Sequence, residues 1–421
     1  MDHFKYIDGE MYAEDVALRT IADDVGTPVY IYSSATLRRH YGVFKESMSG
    51  LDTLVCFALK ANSNQAVLAT LAAEGAGADV VSGGELARAL RAGIPAEKIV
   101  FSGVAKTKDE MRKALEVGIL QFNVESEPEL MALSEVAKEM GKIAPVSMRV
   151  NPNVDAKTHA KISTGMAENK FGIAWQKALS VYAMIRELPN LEVVGIDMHI
   201  GSQLTALTPF EEAFARVRKL VTDLRAEGHT IKHLDLGGGL GIPYDPDLET
   251  PPGPEAYGAI VKEYAKDLGC KLIFEPGRMI AGNAGVLLSK VVYIKEGTDR
   301  RFVILDAGMN DLTRPAMYDA YHQIDPVIQA ARGAETALAD FVGPVCESGD
   351  TFAKARVTTA LKAGDLVIFR SSGAYGAVMA NTYNSRLLVP EVLVHGDKMA
   401  VIRERGTIED LIAKDIVPEW L

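Results

Sequence analysis

Between about residue 50 and residue 276, short apolar runs rich in Val, Ile, Leu and Phe alternate with longer stretches whose apolar residues recur at helical spacing. The runs read as buried parallel strands and the longer stretches as helices linking them. The runs are LVCFALK (54–60), ADVVS (78–82), KIVFSG (98–103), LQFNVE (120–125), PVSMRV (145–150), VVGIDMHIG (193–201), KHLDLGG (232–238) and KLIFEPG (271–277), eight in all. Several of the intervening stretches, among them GGELARALRAG, TKDEMRKALEVG and SEPELMALSEVAKEMG, open behind Ser or Thr and close on Gly, as helix caps require. Eight strand–helix units predict an α/β fold, a (β/α)8 TIM barrel, whose chemistry belongs on the loops leaving the C-terminal ends of the strands.

After about residue 285 the texture changes to strands without long helices, as in VLLSKVVYIKE, RFVILDAG, DLVIFRSSG, EVLVHG and KMAVIRERG. An all-β C-terminal domain is expected. The expected organisation is an N-terminal segment, 1–24, joining the β domain, a barrel over 25–284 and the β domain over 285–421. The N-terminal segment is expected to add a strand and to hold no long helix. At 421 residues the chain is too long for one core and suits two domains.

The net charge of −11 argues against a nucleic-acid binder, which would concentrate Lys and Arg. Three scattered cysteines, Cys56, Cys270 and Cys346, form neither a disulfide framework nor a metal knuckle, and no HxxxH or Cys/His spacing suggests a metal. The acidic N-terminus lacks a basic-then-apolar leader, and no uncharged apolar run approaches the ~20 residues that span a bilayer. A cytoplasmic protein with no membrane partner is expected.

Unusual residues collect at the strand ends. Lys60 ends the first run, in CFALKANSN, where partial desolvation would favour its nucleophilic amine; an isolated lysine there more often snorkels to solvent. His199 and Ser202 follow the sixth run, and by itself such a histidine is more often a hydrogen-bonded core residue. Gly237, Gly238 and Gly239 follow the seventh, where amides unobstructed by Cβ atoms could cradle a phosphate or simply make a turn. Glu275 ends the eighth, with Gly277 and Arg278 just beyond; a carboxylate there could pair with a pyridine nitrogen or make an ordinary ion pair with the arginine. In the β domain RPAMYDAYH (314–322), GPVCESGD (343–350) and SSGAYGAV (371–378) supply Arg314, Tyr318, Cys346, Glu347 and Tyr375. An arginine can grip a carboxylate bidentately, Glu347 can receive an ammonium and Cys346 can deliver a proton.

Taken in order, ALKAN, DVVSGGE, HIGSQ, GGGLG, EPGR, RPAMYDAYH, CESGD, GAY and YNSR resemble the signatures of the diaminopimelate decarboxylases, within the alanine-racemase-like fold of pyridoxal-phosphate (PLP) enzymes, over residues 25 to 395. One departure is YNSRLLVPEV, where that family often has Pro soon after the Arg. The resemblance implies that Lys60 anchors PLP covalently, that His199 stacks on its ring and that Glu275 faces its pyridine nitrogen. It also implies that Ser202, Gly237, Gly238, Gly239 and Gly277 hold the phosphate, with Asp79 and Arg149 supporting the lysine. It assigns the amino-acid substrate to Arg278, Arg314, Tyr318, Glu347 and Tyr375, with Arg278 and Tyr375 also touching the cofactor, and proton donation to Cys346 or a water it orients. It further implies a homodimer in which CESGD reaches the opposite subunit's site. The expected reaction is decarboxylation of meso-2,6-diaminopimelate to L-lysine. An ornithine- or arginine-type decarboxylase and a catalytically silent PLP-binding relative are the alternatives.

Overall fold

A computed structural model of the chain describes residues 2–155, 170–298 and 300–421. These form two compact units, one of Arg38–Pro243 with Glu249–Ile280, the other of Met1–Leu37 with Tyr244–Leu248 and Ala281–Leu421.

The first unit is the predicted barrel. Its eight parallel strands are Thr53–Ala58, Gly77–Val80, Ile99–Phe101, Gln121–Val124, Ala144–Asn151, Leu191–Asp197, His233–Asp235 and Lys271–Phe274. Each pairs with the next, and the eighth returns to the first through Leu272↔Thr53, Ile273↔Leu54 and Phe274↔Val55, which closes the barrel; the two-residue strand Ile173–Ala174 pairs beside Ala144–Asn151. Ser82, Thr107 and Ser126 cap the helices Gly83–Arg91, Lys108–Val117 and Glu127–Glu139 by accepting an amide three residues on, and Gly118 closes the second of these in the left-handed region. Lower in the barrel Cys56, Val100 and Ile273 pack with Leu54 and Leu120 into an apolar plug. Toward the strand ends the inward positions turn polar: Asp79, Asn123, Asp235 and Glu275 are all buried there.

The second unit is mostly sheet. Its strands run in the order Thr351–Thr359, Thr336–Val342, Arg301–Leu305, Gly285–Glu296, Val29–Ser33, Glu391–His395, Lys398–Arg403, with Leu366–Phe369 and Ile324–Pro326 joining alongside. Phe4–Ile7, Glu10–Ala13 and Val16–Ala17 form a three-stranded sheet of their own, and Val29–Ser33, in the stretch expected to open the barrel, inserts between Gly285–Glu296 and Glu391–His395. Phe4, Met11, Leu18 and Ile21 share one core with Ile31, Val286, Leu288, Ile368, Val392 and Val394. An eight-residue helix, Leu18–Val25, stands where no helix of length was expected; Leu18, Ile21, Ala22 and Val25 give it a one-sided apolar stripe. Among the described residues no helix is long and apolar enough to cross a membrane.

Candidate active site

The first barrel strand ends in a single 3-10 turn, Leu59–Ala61, that carries Lys60. Its Nζ donates to Oδ2 of Asp79 at 2.5 Å, and Asp79, on the neighbouring strand, is fully buried. The amine keeps part of its surface accessible while its counter-charge has none. The lysine is therefore tethered, not snorkelling.

Behind this pair lies a concentration of carboxyls that the sequence motifs did not reveal. Asp197, Asp235 and Glu275 end the sixth, seventh and eighth strands and bring carboxylate oxygens within 4.8 Å of one another. Burial raises the Glu275 carboxyl well above the usual range, and the charges of Asp235, Asp79 and Asp197 add to it while Lys60 opposes. Asp197 is likewise raised, by burial and then by Asp235, against the pull of Arg149. Asp235 is pushed up to about 6 by burial, opposed by hydrogen bonds from the Gly237 amide and Asn123. Ser102 Oγ and Asn123 Nδ2 each donate to Glu275 Oε1 at 3.2 Å, and Asn123 Nδ2 also lies 3.1 Å from Asp235 Oδ2. Asn123 is thus the donor shared by Asp235 and Glu275, and its own Oδ1 accepts from Gln121 at 2.7 Å. Arg149 is buried too, 3.0 Å from Glu125. The period-2 inward positions of the strand ends in GIDMH and LDLGG were the signal for Asp197 and Asp235.

His199 follows the sixth strand, half-buried, and its Nδ1 accepts the Gly238 amide at 3.2 Å. That acceptance puts the ring proton on Nε2. Burial, then Arg149 and Lys60, hold its pKa well below 6.5, so the ring is neutral. The glycines that follow have a structural reason of their own. A Cβ on Gly237 would meet the Met198 carbonyl at 2.5 Å, on Gly238 the Glu275 carbonyl at 2.3 Å, and on Gly239 the Gly201 carbonyl at 2.4 Å. On Gly277 it would meet Ala61 Cβ at 2.8 Å. Backbone crowding between adjacent strand ends demands glycine whatever binds above. Arg278 is buried and donates from Nη2 to Ser202 Oγ at 3.2 Å.

In the second unit the candidates fall into two local arrangements. Arg314 opens the short helix Arg314–Tyr318, buried, with Tyr318 half-buried at its other end. Cys346 and Glu347 are exposed on the loop Gly343–Asp350. Asp350 shapes that loop by accepting the amides of Met309 at 2.6 Å and Val345 at 2.7 Å, and a Cβ on Gly343 would strike its carboxylate. Asn384 Oδ1 accepts the Cys346 amide at 2.8 Å, and Tyr383 bonds Glu347, which raises the phenol. Tyr375 adopts φ 55, a left-handed conformation that tyrosine rarely takes, between Gly373 and Gly376, whose neighbouring carbonyls leave no room for a Cβ. All three cysteines are free, Cys56 and Cys270 buried.

Residues 34–282 match the family described as "Pyridoxal-dependent decarboxylase, pyridoxal binding domain". The chain is 53% identical to the diaminopimelate decarboxylase of Zymomonas mobilis over 99% of both. It also resembles the crystal structure of diaminopimelate decarboxylase from M. jannaschii in complex with L-lysine, with a TM-score of 0.94 and 41% identity, covering 100% of this chain and 99% of that one. The Helicobacter pylori enzyme complexed with L-lysine superposes with a TM-score of 0.90 at 42% identity, covering 94% and 98%.

Proposed function

The chain belongs to the diaminopimelate decarboxylases, PLP-dependent carboxy-lyases, and on that premise we propose which of its residues do the work. The reaction removes one carboxylate of diaminopimelate as CO2 and leaves L-lysine, within lysine biosynthesis. Bound PLP supplies an electron sink conjugated to the reacting carbon.

The barrel residues fit that cofactor. Asp79, Asp197, Asp235 and Glu275 are more buried carboxyls than Lys60 and Arg149 neutralise, a set that favours a cationic pyridine ring over a neutral one. Glu275, already steered by Ser102 and Asn123, is the carboxyl that would face the ring nitrogen. His199, neutral by burial, offers a flat face without a competing charge. Ser202, Gly277 and the Gly237–Gly239 loop line the phosphate site in this reading, although the Gly237 and Gly238 amides already serve Asp235 and His199, and Arg278 joins both cofactor and substrate.

Lys60 is the covalent anchor, and Asp79 accepts its hydrogen bond, holding the amine in one place until it acts as a nucleophile. Arg278, Arg314 and Tyr318 bind the substrate's far end, Glu347 receives its amine, Tyr375 contacts substrate and cofactor, and Cys346 or a water it orients returns a proton to the carbon that lost CO2. Cys346 and Glu347 serve the site of a second subunit, so the working unit is a cytoplasmic homodimer. The observation that carries this reading is the Lys60–Asp79 pair beside the buried carboxyls.

Lys60→Ala and Cys346→Ala proteins should each be nearly inactive alone. Mixed and allowed to exchange, they should regain activity, because one site of the heterodimer keeps both groups. Absence of recovery with demonstrated exchange excludes the shared site, and retained steady-state turnover by Lys60→Ala excludes the anchor.

A further inference from the structure

We propose that His322 is the positioning residue that fixes the guanidinium of Arg314, accepting from it as a neutral imidazole, so that the fork is set to grip the carboxylate the product retains. The proposal rests on the reading of Arg314 as the ligand of that carboxylate.

The helix Arg314–Tyr318 ends at Asp319, which turns the chain in the left-handed region at φ 52 and brings His322 back over the helix start. His322 Nδ1 lies 2.8 Å from the Arg370 carbonyl, and Nε2 lies 2.7 Å from Arg314 Nη1. A carbonyl can only accept, so the ring proton is on Nδ1, and the Nε2 lone pair is left to accept from the guanidinium. The Arg370 carbonyl is itself held in place, since Arg370 Nε pairs with Asp325 at 2.5 Å and its amide bonds the Gln323 carbonyl at 2.9 Å. His322 is 1% exposed and Arg314 6%, so both bonds are shielded from water.

Tyr244 supplies the remaining constraint. Arg314 lies over its ring at 4.4 Å, and the same ring meets His322 edge-on at 5.4 Å. One aromatic face sets the plane of the fork and one in-plane acceptor sets its rotation within that plane. Bidentate carboxylate recognition needs both settings, because its two parallel hydrogen bonds share the fork's plane. A carboxylate in the place of His322 would fix the same geometry but would neutralise the charge. Imidazole orients without neutralising.

The test uses the full-length PLP-loaded enzyme and two competitive probes: L-lysine, which carries the carboxylate, and 1,5-diaminopentane, which is L-lysine without it. His322→Phe should weaken L-lysine roughly tenfold, the effect of losing one hydrogen bond to a charged group, and leave 1,5-diaminopentane within about twofold. KM for diaminopimelate should rise by a larger factor than kcat falls. His322→Gln, which restores an acceptor, should recover most of the discrimination, and His322→Asn, whose amide is too short to reach, should not. Equal weakening of both probes, or of neither, overturns the proposal, as does failure of His322→Gln to outperform His322→Asn. Should His322→Phe fold poorly, the Gln-against-Asn comparison decides alone. Arg314→Lys run alongside separates the two layers. If it leaves the ratio of the two probes unchanged, the carboxylate reading of Arg314 is wrong; if it collapses the ratio while the His322 variants do not, only the role of His322 is wrong.

Discussion

Replacing Asn123 with Asp changes almost no volume and inserts a carboxyl against two others, Asp235 and Glu275. In the native protein Asn123 Nδ2 serves Ser102, Asp235 and Glu275, all at 3.1 to 3.2 Å. An ionised Asp offers no donor, so the variant side chain must stay protonated to bond even one of these acceptors. Its folded pKa is then raised above the unfolded value of about 3.9, toward the ~8–9 reached by buried carboxyls. A group raised on folding contributes its stability in full below the unfolded pKa and loses it as pH climbs through the folded one. Relative to the parent, stability should therefore fall by about 1.4 kcal/mol for each pH unit, or ~4 kcal/mol between pH 5 and pH 8. A pH-independent loss of about 1 kcal/mol from the second missing donor is added to this. Urea unfolding of the barrel transition at several pH values, variant minus parent, measures the slope directly. A difference that stays flat over that range means the new carboxyl ionises without penalty, and the account of a desolvated, proton-loaded cluster at the barrel mouth would be wrong.

Two further outcomes follow from the same region. Gly238→Ala drives a Cβ to 2.3 Å from the Glu275 carbonyl, so thermal unfolding should show a loss of about 3 kcal/mol or more from overpacking against backbone; a loss under 1 kcal/mol would mean the strand ends separate easily. Lys106 is 1% exposed at its side chain and donates to Glu129 at 2.8 Å and to the carbonyls of Gly103 and Asn123. Lys106→Met should cost about 3–5 kcal/mol by stranding a buried carboxylate, and adding Glu129→Leu should restore part of it; additivity in that cycle would show the two are uncoupled.

The barrel was legible because each strand is a compact apolar run and each linking helix carries caps, so period and punctuation agree at Ser82, Thr107 and Ser126. Lys60, His199, Gly237 and Glu275 were legible because each stands at the end of such a run. Asp197 and Asp235 were not, although they occupy equivalent places, because each looks like an ordinary strand-end residue until three strands are brought side by side. The strand Val29–Ser33 precedes the barrel helices in sequence yet pairs with strands beginning at Gly285 and Glu391, a partnership of more than 250 residues' separation that no local pattern encodes. Thr336–Val342 and Thr351–Thr359 mix charged and exposed residues with buried ones and carry no clean alternation. Tyr244 carries no signal of its own in the sequence, since its place over the guanidinium depends on Arg314, seventy positions later.

The crowding around Gly237, Gly238, Gly239 and Gly277 bears on how such chains diverge. A descendant that lost the cofactor would still be selected to keep these glycines, since any side chain there would push strand ends apart. Their persistence in a lineage records the survival of the barrel, whereas Lys60, tied only to Asp79, can be replaced together with that partner once the chemistry is abandoned. Ancestry written in the glycines and activity written in the lysine are separate histories, and a sequence that retains the first but not the second is a barrel that has changed its trade.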